Sequence, residues 1–162
     1  MSSEPPKVMA IPAGLAAPGT AQAAWREVAA LTDLPLGAMA RFTRGDLDLL
    51  IANTPAGILV TDDRCPHMAA PLSQGRLDGL QIECPLHSGR FDLATGETLQ
   101  FPTTGGLDAD GHYHPPWAPP GSPPKPEPTD AKARARALTR VRRMRYYPVR
   151  ISRDRIEAAI PD

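Results

Sequence analysis

The sequence predicts an all-β fold assembled from small antiparallel sheets, on three observations. Apolar residues recur in short, often alternating runs bounded by Gly, Pro, Asn and Asp, as at 39–44, 47–52 and 58–61. Two-residue turn signals such as Gly45-Asp46 and Asp78-Gly79 stand between such runs at hairpin spacing. Aromatic residues make up only 5% of the chain while prolines number 20, a balance that favours a turn-rich fold over a helical bundle.

In chain order, residues 1–24 read as a flexible Ala/Pro/Gly tail. Glu4 precedes the only lysine there, and Pro12, Gly14, Pro18 and Gly19 interrupt its apolar stretch, a poor fit to a secretory signal. A strand is expected at 25–29, with a Leu34-Pro35-Leu36-Gly37 stretch before the next run at 39–44. Strands at 47–52 and 58–61 follow, joined by Asn53-Thr54-Pro55-Ala56-Gly57, whose Pro and Gly stop a helix from continuing. Asp78-Gly79 then separates 76–77 from 81–83, and Ala94-Thr95-Gly96 separates 90–92 from 97–99. After Pro102 the pattern breaks. Residues 103–130 carry Gly105, Gly106 and Gly111, and 115–128 holds eight prolines, a composition suited to polyproline II or disorder. We read about 104–138 as a Pro/Gly-rich, then basic, insertion. Alternation resumes at Tyr147, Val149 and Ile151, and a turn at 152–154 leads to Ile156, Ala158 and Ile160, a closing hairpin. At 162 residues, 25–162 is then one domain with an interruption. Trp25 and Tyr147 are expected in its core, and Trp117 as an anchor or a partner contact.

Formal net charge is zero and the pI is near 6.9, so no global field points to nucleic acid or an anionic membrane. No run of 18 apolar residues occurs, so no membrane-spanning helix is expected. The charge is unevenly placed: residues 27–97 hold ten acidic and five basic side chains, whereas 132–155 hold ten of the eighteen basic ones. That asymmetry can steer a partner of opposite charge or be solvated surface alone. Two cysteines can form one disulfide, but each lies two or three residues before a histidine, which points to metal and a reduced, cytoplasmic setting.

The chemistry lies in Cys65-Pro66-His67 and Cys84-Pro85-Leu86-His87, with sixteen residues between His67 and Cys84. Each loop offers one thiolate and one imidazole. A [2Fe-2S] cluster in which one iron takes both cysteines and the other both histidines needs two such loops face to face. The expected 76–83 hairpin brings them together, and Pro66 and Pro85 restrict the backbone beside the ligands. Structural zinc is the competing reading of four Cys/His residues, though zinc sites more often begin with Cys-x-x-Cys pairs. His112 and His114, flanking Tyr113, form a second His pair and are expected as solvated loop residues.

Cys65-Pro66-His67-Met68-Ala69-Ala70-Pro71-Leu72 with Gly75, and Cys84-Pro85-Leu86-His87-Ser88-Gly89-Arg90-Phe91-Asp92 with Thr95-Gly96, resemble the Rieske family, and specifically its ferredoxins. Residues 25–102 and 147–160 fit that family; the segment between them does not. The resemblance implies a fold of three stacked antiparallel β-sheets and a [2Fe-2S] cluster on Cys65, His67, Cys84 and His87, with the cysteines on the inner iron and the histidines at the electron exit edge. Members in cytochrome bc complexes carry an extra, disulfide-forming cysteine in each loop, where this chain has Ala70 and Leu86. They also carry Ser and Tyr donors to the cluster sulfurs, where it has Gly89 and Phe91. Without those donors the reduced state is less stabilised, which implies a potential near the low end of the Rieske range. Two thiolates and neutral imidazoles let the cluster cycle between net 0 and −1.

By the same resemblance the chain is an electron carrier and not an enzyme, passing electrons from an NAD(P)H-dependent reductase to a terminal oxygenase such as an aromatic-ring dioxygenase. Once the cluster is built only His112 and His114 remain, and no second domain is expected to house a two-histidine, one-carboxylate oxygen-activating iron. Alternatives are a small Rieske-like subunit of an assimilatory nitrite reductase and a zinc-stabilised interaction module whose Pro-rich segment docks a partner.

Overall fold

A computed structural model describes residues 7–68, 70–123 and 129–161. The first strands are β1 (Ala24–Ala30), β2 (Met39–Arg44), β3 (Leu47–Thr54) and β4 (Gly57–Asp62). After the first Cys/His loop come β5 (Arg76–Asp78) and β6 (Gln81–Glu83), and after the second come β7 (Arg90–Asp92) and β8 (Thr98–Gln100). The region read as an insertion holds β9 (Gly106–Leu107), β10 (Tyr113–His114) and the helix α1 (Ala131–Ala137). The chain closes with β11 (Tyr146–Tyr147), β12 (Val149–Ser152) and β13 (Arg155–Ile160). The all-β expectation holds, and the strands begin and end within a few residues of the runs that predict them.

The strands form sheets ordered β11-β4-β3-β2, β1-β13-β12 and β5-β6-β7-β8, with β9-β10 as a two-stranded ribbon; every strand pairing is antiparallel. β3 explains the stacking. Leu49, Leu50, Ile51 and Ala52 are all fully buried, so both faces of the strand are covered. Because side chains alternate across a strand, Leu49 and Ile51 meet Val28, Ile156, Ala158 and Ile160 of the β1-β13-β12 layer. Leu50 and Ala52 face the opposite way, into the core of Leu72, Ile82, Phe91 and Leu93 beneath the two Cys/His loops. Each fully buried Leu or Ile contributes about 2 kcal/mol from apolar area removed from water. The middle sheet thus joins a base layer to the layer that carries the site.

Trp25 differs from expectation. It lies on the outer side of β1, 38% exposed, beneath the Arg150 guanidinium 4.5 Å from its ring centroid. Its ring thus serves as a cation platform at the edge of the sheet. Tyr147 is buried as expected, its hydroxyl donating to Asp62 Oδ1 at 2.6 Å.

The N-terminal segment also differs. Residues 1–6 lie outside the described residues, but from Lys7 the chain is laid along the sheet. Met9 N–H donates to the Ile58 carbonyl and Ile58 N–H to that of Lys7, while Ala17 and Leu15 exchange bonds with Tyr146 in the same way. Met9 and Ala17 are buried, and Ile11 and Leu15 pack on the site-bearing core. The prolines and glycines that break helical periodicity leave the backbone extended, and the apolar residues between them find the exposed edges of β4 and β11.

Within 104–138 the chain forms β9, β10 and α1; 124–128, within the Pro-rich stretch, lie outside the described residues. Asp130 caps α1, its Oδ1 accepting from Ala133 N–H at 2.7 Å. Leu107 and Val141 are tied by a 2.6 Å bond from Val141 N–H to the Leu107 carbonyl. Buried Val141, Met144 and Tyr146 then return the chain to the core. Tyr146 is the principal clamp: its hydroxyl donates to the Leu93 carbonyl at 2.6 Å across 53 residues of sequence. Tyr146→Phe strands that carbonyl in the core, a loss of about 2 kcal/mol. The thermal midpoint is expected to fall by about 4–8 °C in a circular-dichroism melt; an unchanged midpoint would show the bond to be dispensable.

Candidate metal centre

The first loop leaves β4, and the second joins β6 to β7. The β5-β6 hairpin links them in the register Arg76↔Glu83, Leu77↔Ile82 and Asp78↔Gln81, which delivers Cys84 directly after β6. The two loops are built alike. Cys65 N–H donates to the Ala70 carbonyl at 2.7 Å and Cys84 N–H to that of Gly89 at 2.8 Å, so each cysteine closes a ring onto the residue five positions on. The amides of His67 and Met68 turn toward the Cys65 sulfur, and those of Leu86 and His87 toward the Cys84 sulfur. Two donors aimed at each sulfur favour the thiolate form. Ser88 takes a left-handed backbone with φ of 58° to complete the second ring, and Gln100 Nε2 secures its carbonyl at 2.7 Å.

Outer residues hold the loops in place. Asp63, fully buried as a side chain, accepts from both the amide and the hydroxyl of Ser73 at 2.6 Å and pairs with Arg41 at 3.2 Å. Burial raises its pKa, opposed by the Ser73 bonds and Arg41. The first loop is thereby pinned to the short 3-10 turn Leu72–Gln74 and to β2. Pro66 accepts from Arg142 N–H at 3.1 Å, and His87 from Thr103 N–H at 2.9 Å, so residues on both sides of the insertion clamp one loop each.

All four sequence-predicted ligands meet at this end of the molecule. Cys65 and Cys84 are 5% and 4% exposed and share a hydrogen bond between their sulfurs. The bond donated by Cys65 pulls the Cys84 thiol down to about 6, assisted by the loop amides against burial. The same bond and burial push Cys65 upward, because the second proton must leave beside a thiolate. The rings of His67 and His87 lie edge to face with centroids 5.4 Å apart. Burial, then the neighbouring His87, lowers His67 to about 4, so it is a neutral imidazole near pH 7. Its Nε2 is buried without a hydrogen-bond partner among the described residues.

Two buried thiols, a neutral His67 imidazole with an unsatisfied ring nitrogen and the adjacent His87 ring are a donor set that fits a [2Fe-2S] cluster with mixed sulfur and nitrogen ligation. His67 is buried and His87 half-buried, so His87 is the more open of the two. His112 and His114 belong elsewhere. Both face Asp108, at 3.5 and 3.1 Å, and His114 stacks on Phe101 with ring centroids 3.7 Å apart. The amide of His112, then the side chain of His114, holds the Asp108 carboxyl at about 2.

Sequence reasoning missed the roles of Asp63, Ser73, Tyr146 and Arg142. A burial-like spacing at Val141, Met144 and Tyr146 was the one available signal for the returning segment.

The chain is 41% identical over 80 residues to the ferredoxin component of the naphthalene 1,2-dioxygenase system of Pseudomonas aeruginosa, covering 49% of this chain and 77% of that protein. It is 36% identical over 70 residues to the ferredoxin component of biphenyl 2,3-dioxygenase of Rhodococcus jostii strain RHA1, covering 43% and 65%. The fold is similar to that of the ferredoxin of carbazole 1,9a-dioxygenase from Nocardioides aromaticivorans IC177, with a TM-score of 0.55 at 22% identity over 85% of this chain and 98% of that one. The Rieske [2Fe-2S] domain family matches residues 24–109, which span both Cys/His loops and the hairpin between them. With its paired loops, its stacked antiparallel sheets and that match, the chain belongs to the Rieske [2Fe-2S] domain family.

Proposed function

We propose that this chain is a one-electron carrier whose [2Fe-2S] cluster is held by Cys65 and Cys84 on one iron and His67 and His87 on the other. The observation that carries the reading is the convergence of these four side chains, from two loops of like construction, at one end of the fold. Once bound, the [2Fe-2S] group supplies reversible one-electron chemistry. The paired amides stabilise the two thiolates, and Pro66 and Pro85 hold the loop backbones. Met68 and Leu86, 41% and 56% exposed beside the histidines, offer an apolar rim for brief contact with a partner.

The partners are an NAD(P)H-dependent ferredoxin reductase and a terminal oxygenase. This is supported by the naming of the similar proteins as ferredoxin components of dioxygenase systems. A similar fold also occurs in the complex of reduced oxygenase and oxidized ferredoxin of carbazole 1,9a-dioxygenase, with a TM-score of 0.52. Free cysteines committed to metal suit a reducing compartment, the cytoplasm. No helix among the described residues is long and apolar enough to cross a membrane.

Gly89 and Phe91 bring no side-chain donor, and Phe91 is fully buried in the core beneath the loops. The midpoint potential is therefore expected near about −150 mV. Iron and sulfide analysis, electron paramagnetic resonance after dithionite reduction and a redox titration test the reading together. Two irons per chain and a Rieske-type signal are expected. Zinc with no signal would overturn the function, and a midpoint well above zero would overturn the low-potential assignment.

A further inference from the structure

The family match ends at residue 109, yet the chain returns to the site well beyond it. Residues 139–145 run beside the first loop, held by the bond from Arg142 N–H to Pro66 and by one from Asp62 N–H to the Arg145 carbonyl at 3.2 Å. Val141 and Met144 turn inward and are buried, which leaves Arg140, Arg142, Arg143 and Arg145 outward and exposed. Together with Arg64 and His67 they line a cleft of about 460 Å³. Among the described residues Asp62 is the one acidic residue lining it, and its Oδ1 already accepts from Tyr147.

The arginines divide into two kinds. Arg64 is tied to the Asp46 carbonyl and Asp48, Arg143 to Glu97 at 2.9 Å, and Arg140 to the Ala109 carbonyl. Among the described residues, the side chains of Arg142 and Arg145 carry no ion pair. We propose that this cleft docks an acidic surface segment of the protein with which the chain exchanges electrons. The proposal rests on the electron-carrier reading above.

Charge complementarity identifies the occupant. The chain has no net charge, and residues 27–97 are acidic by ten side chains to five. Attraction of an acidic partner is therefore local, and the arginines of this cleft are placed to supply it beside the first loop. Guanidinium groups match carboxylates in a planar, two-bond geometry and desolvate more readily than ammonium groups. A carboxylate-rich segment seated there lies against His67, one of the proposed ligands, so the charge that steers the encounter also orients it for transfer.

The test uses the full-length, cluster-loaded protein with R142Q/R145Q and R142E/R145E variants. These side chains are exposed and unpaired, and the backbone bonds of the segment remain. Binding of fluorescently labelled deca-L-glutamate is read by anisotropy at low salt and at about 0.3 M salt. Wild type should bind and lose about tenfold in affinity across that range; R142Q/R145Q should bind about tenfold more weakly, and R142E/R145E not at all. Oxidation of the reduced protein by ferricyanide should slow in the same order and that by hexaamminecobalt(III) should quicken, with iron content and resonance signal unchanged. Equal peptide affinity in the three proteins would overturn the proposal. Displacement of the peptide by equimolar inorganic phosphate would do so too, by making the cleft a small-anion site. If the carrier reading fails, the resonance signal is absent while peptide binding still reports on the cleft.

Discussion

Cys84→Ser is expected to abolish cluster assembly, leaving less than about a tenth of the wild-type iron and no Rieske signal after reduction. The Cys84 thiol is the one brought down to about 6, chiefly by the bond from Cys65 and then by the Leu86 and His87 amides, so it enters the site as thiolate near neutral pH. A serine hydroxyl in that buried position does not ionise, and its harder oxygen suits iron less well than sulfur. The remaining thiol and two imidazoles would leave the cysteine-held iron one protein ligand short. Iron and acid-labile sulfide per chain, with near-ultraviolet and visible circular dichroism, measure the loss. Full retention of the cluster would remove Cys84 from the ligand set.

Gly75→Ala is expected to cost about 3 kcal/mol or more and to lower cluster content with it. A β-carbon at Gly75 would fall on the carbonyl oxygen of Glu83, with the Leu72 carbonyl 3.1 Å away on another side. Glu83 immediately precedes Cys84, so relief of the clash moves the second loop away from the first. Gly79 of the same hairpin is the control. A β-carbon there meets nothing within 4 Å, and only its φ of +61° opposes alanine, at a cost of about 1 kcal/mol. Urea denaturation with iron analysis distinguishes the two. Equal costs would show that the hairpin tolerates the contact by sliding.

The two experiments probe different kinds of information. The Cys84 result follows from residue types and spacing: Cys65-Pro66-His67 and Cys84-Pro85-Leu86-His87 state their chemistry locally, because ligand identity depends on side-chain donors and not on the remainder of the chain. The strand pattern was legible for a similar reason. At 39–44 and 58–61, period and punctuation arise from neighbours in sequence. The Gly75 result was beyond such reading. Gly75 stands out in the sequence only as part of a family resemblance, and the need for a bare backbone there exists only once Glu83 has folded over it.

The same division separates the middle of the molecule from its ends. The sequence by itself determined an all-β chain with its closing hairpin at 147–160 and, within 24–109, two matched Cys/His loops and the hairpin between them. Tertiary structure alone decided that Lys7 and Ala17 lie along β4 and β11, that Trp25 faces outward, and that Tyr146 reaches Leu93. It also decided that arginines beyond the prolines return to the first loop. The physical reason is the range of the forces involved. Donor chemistry and turn propensity act over a few residues, whereas edge pairing, burial and charge placement depend on segments far apart in sequence that only the completed core brings together.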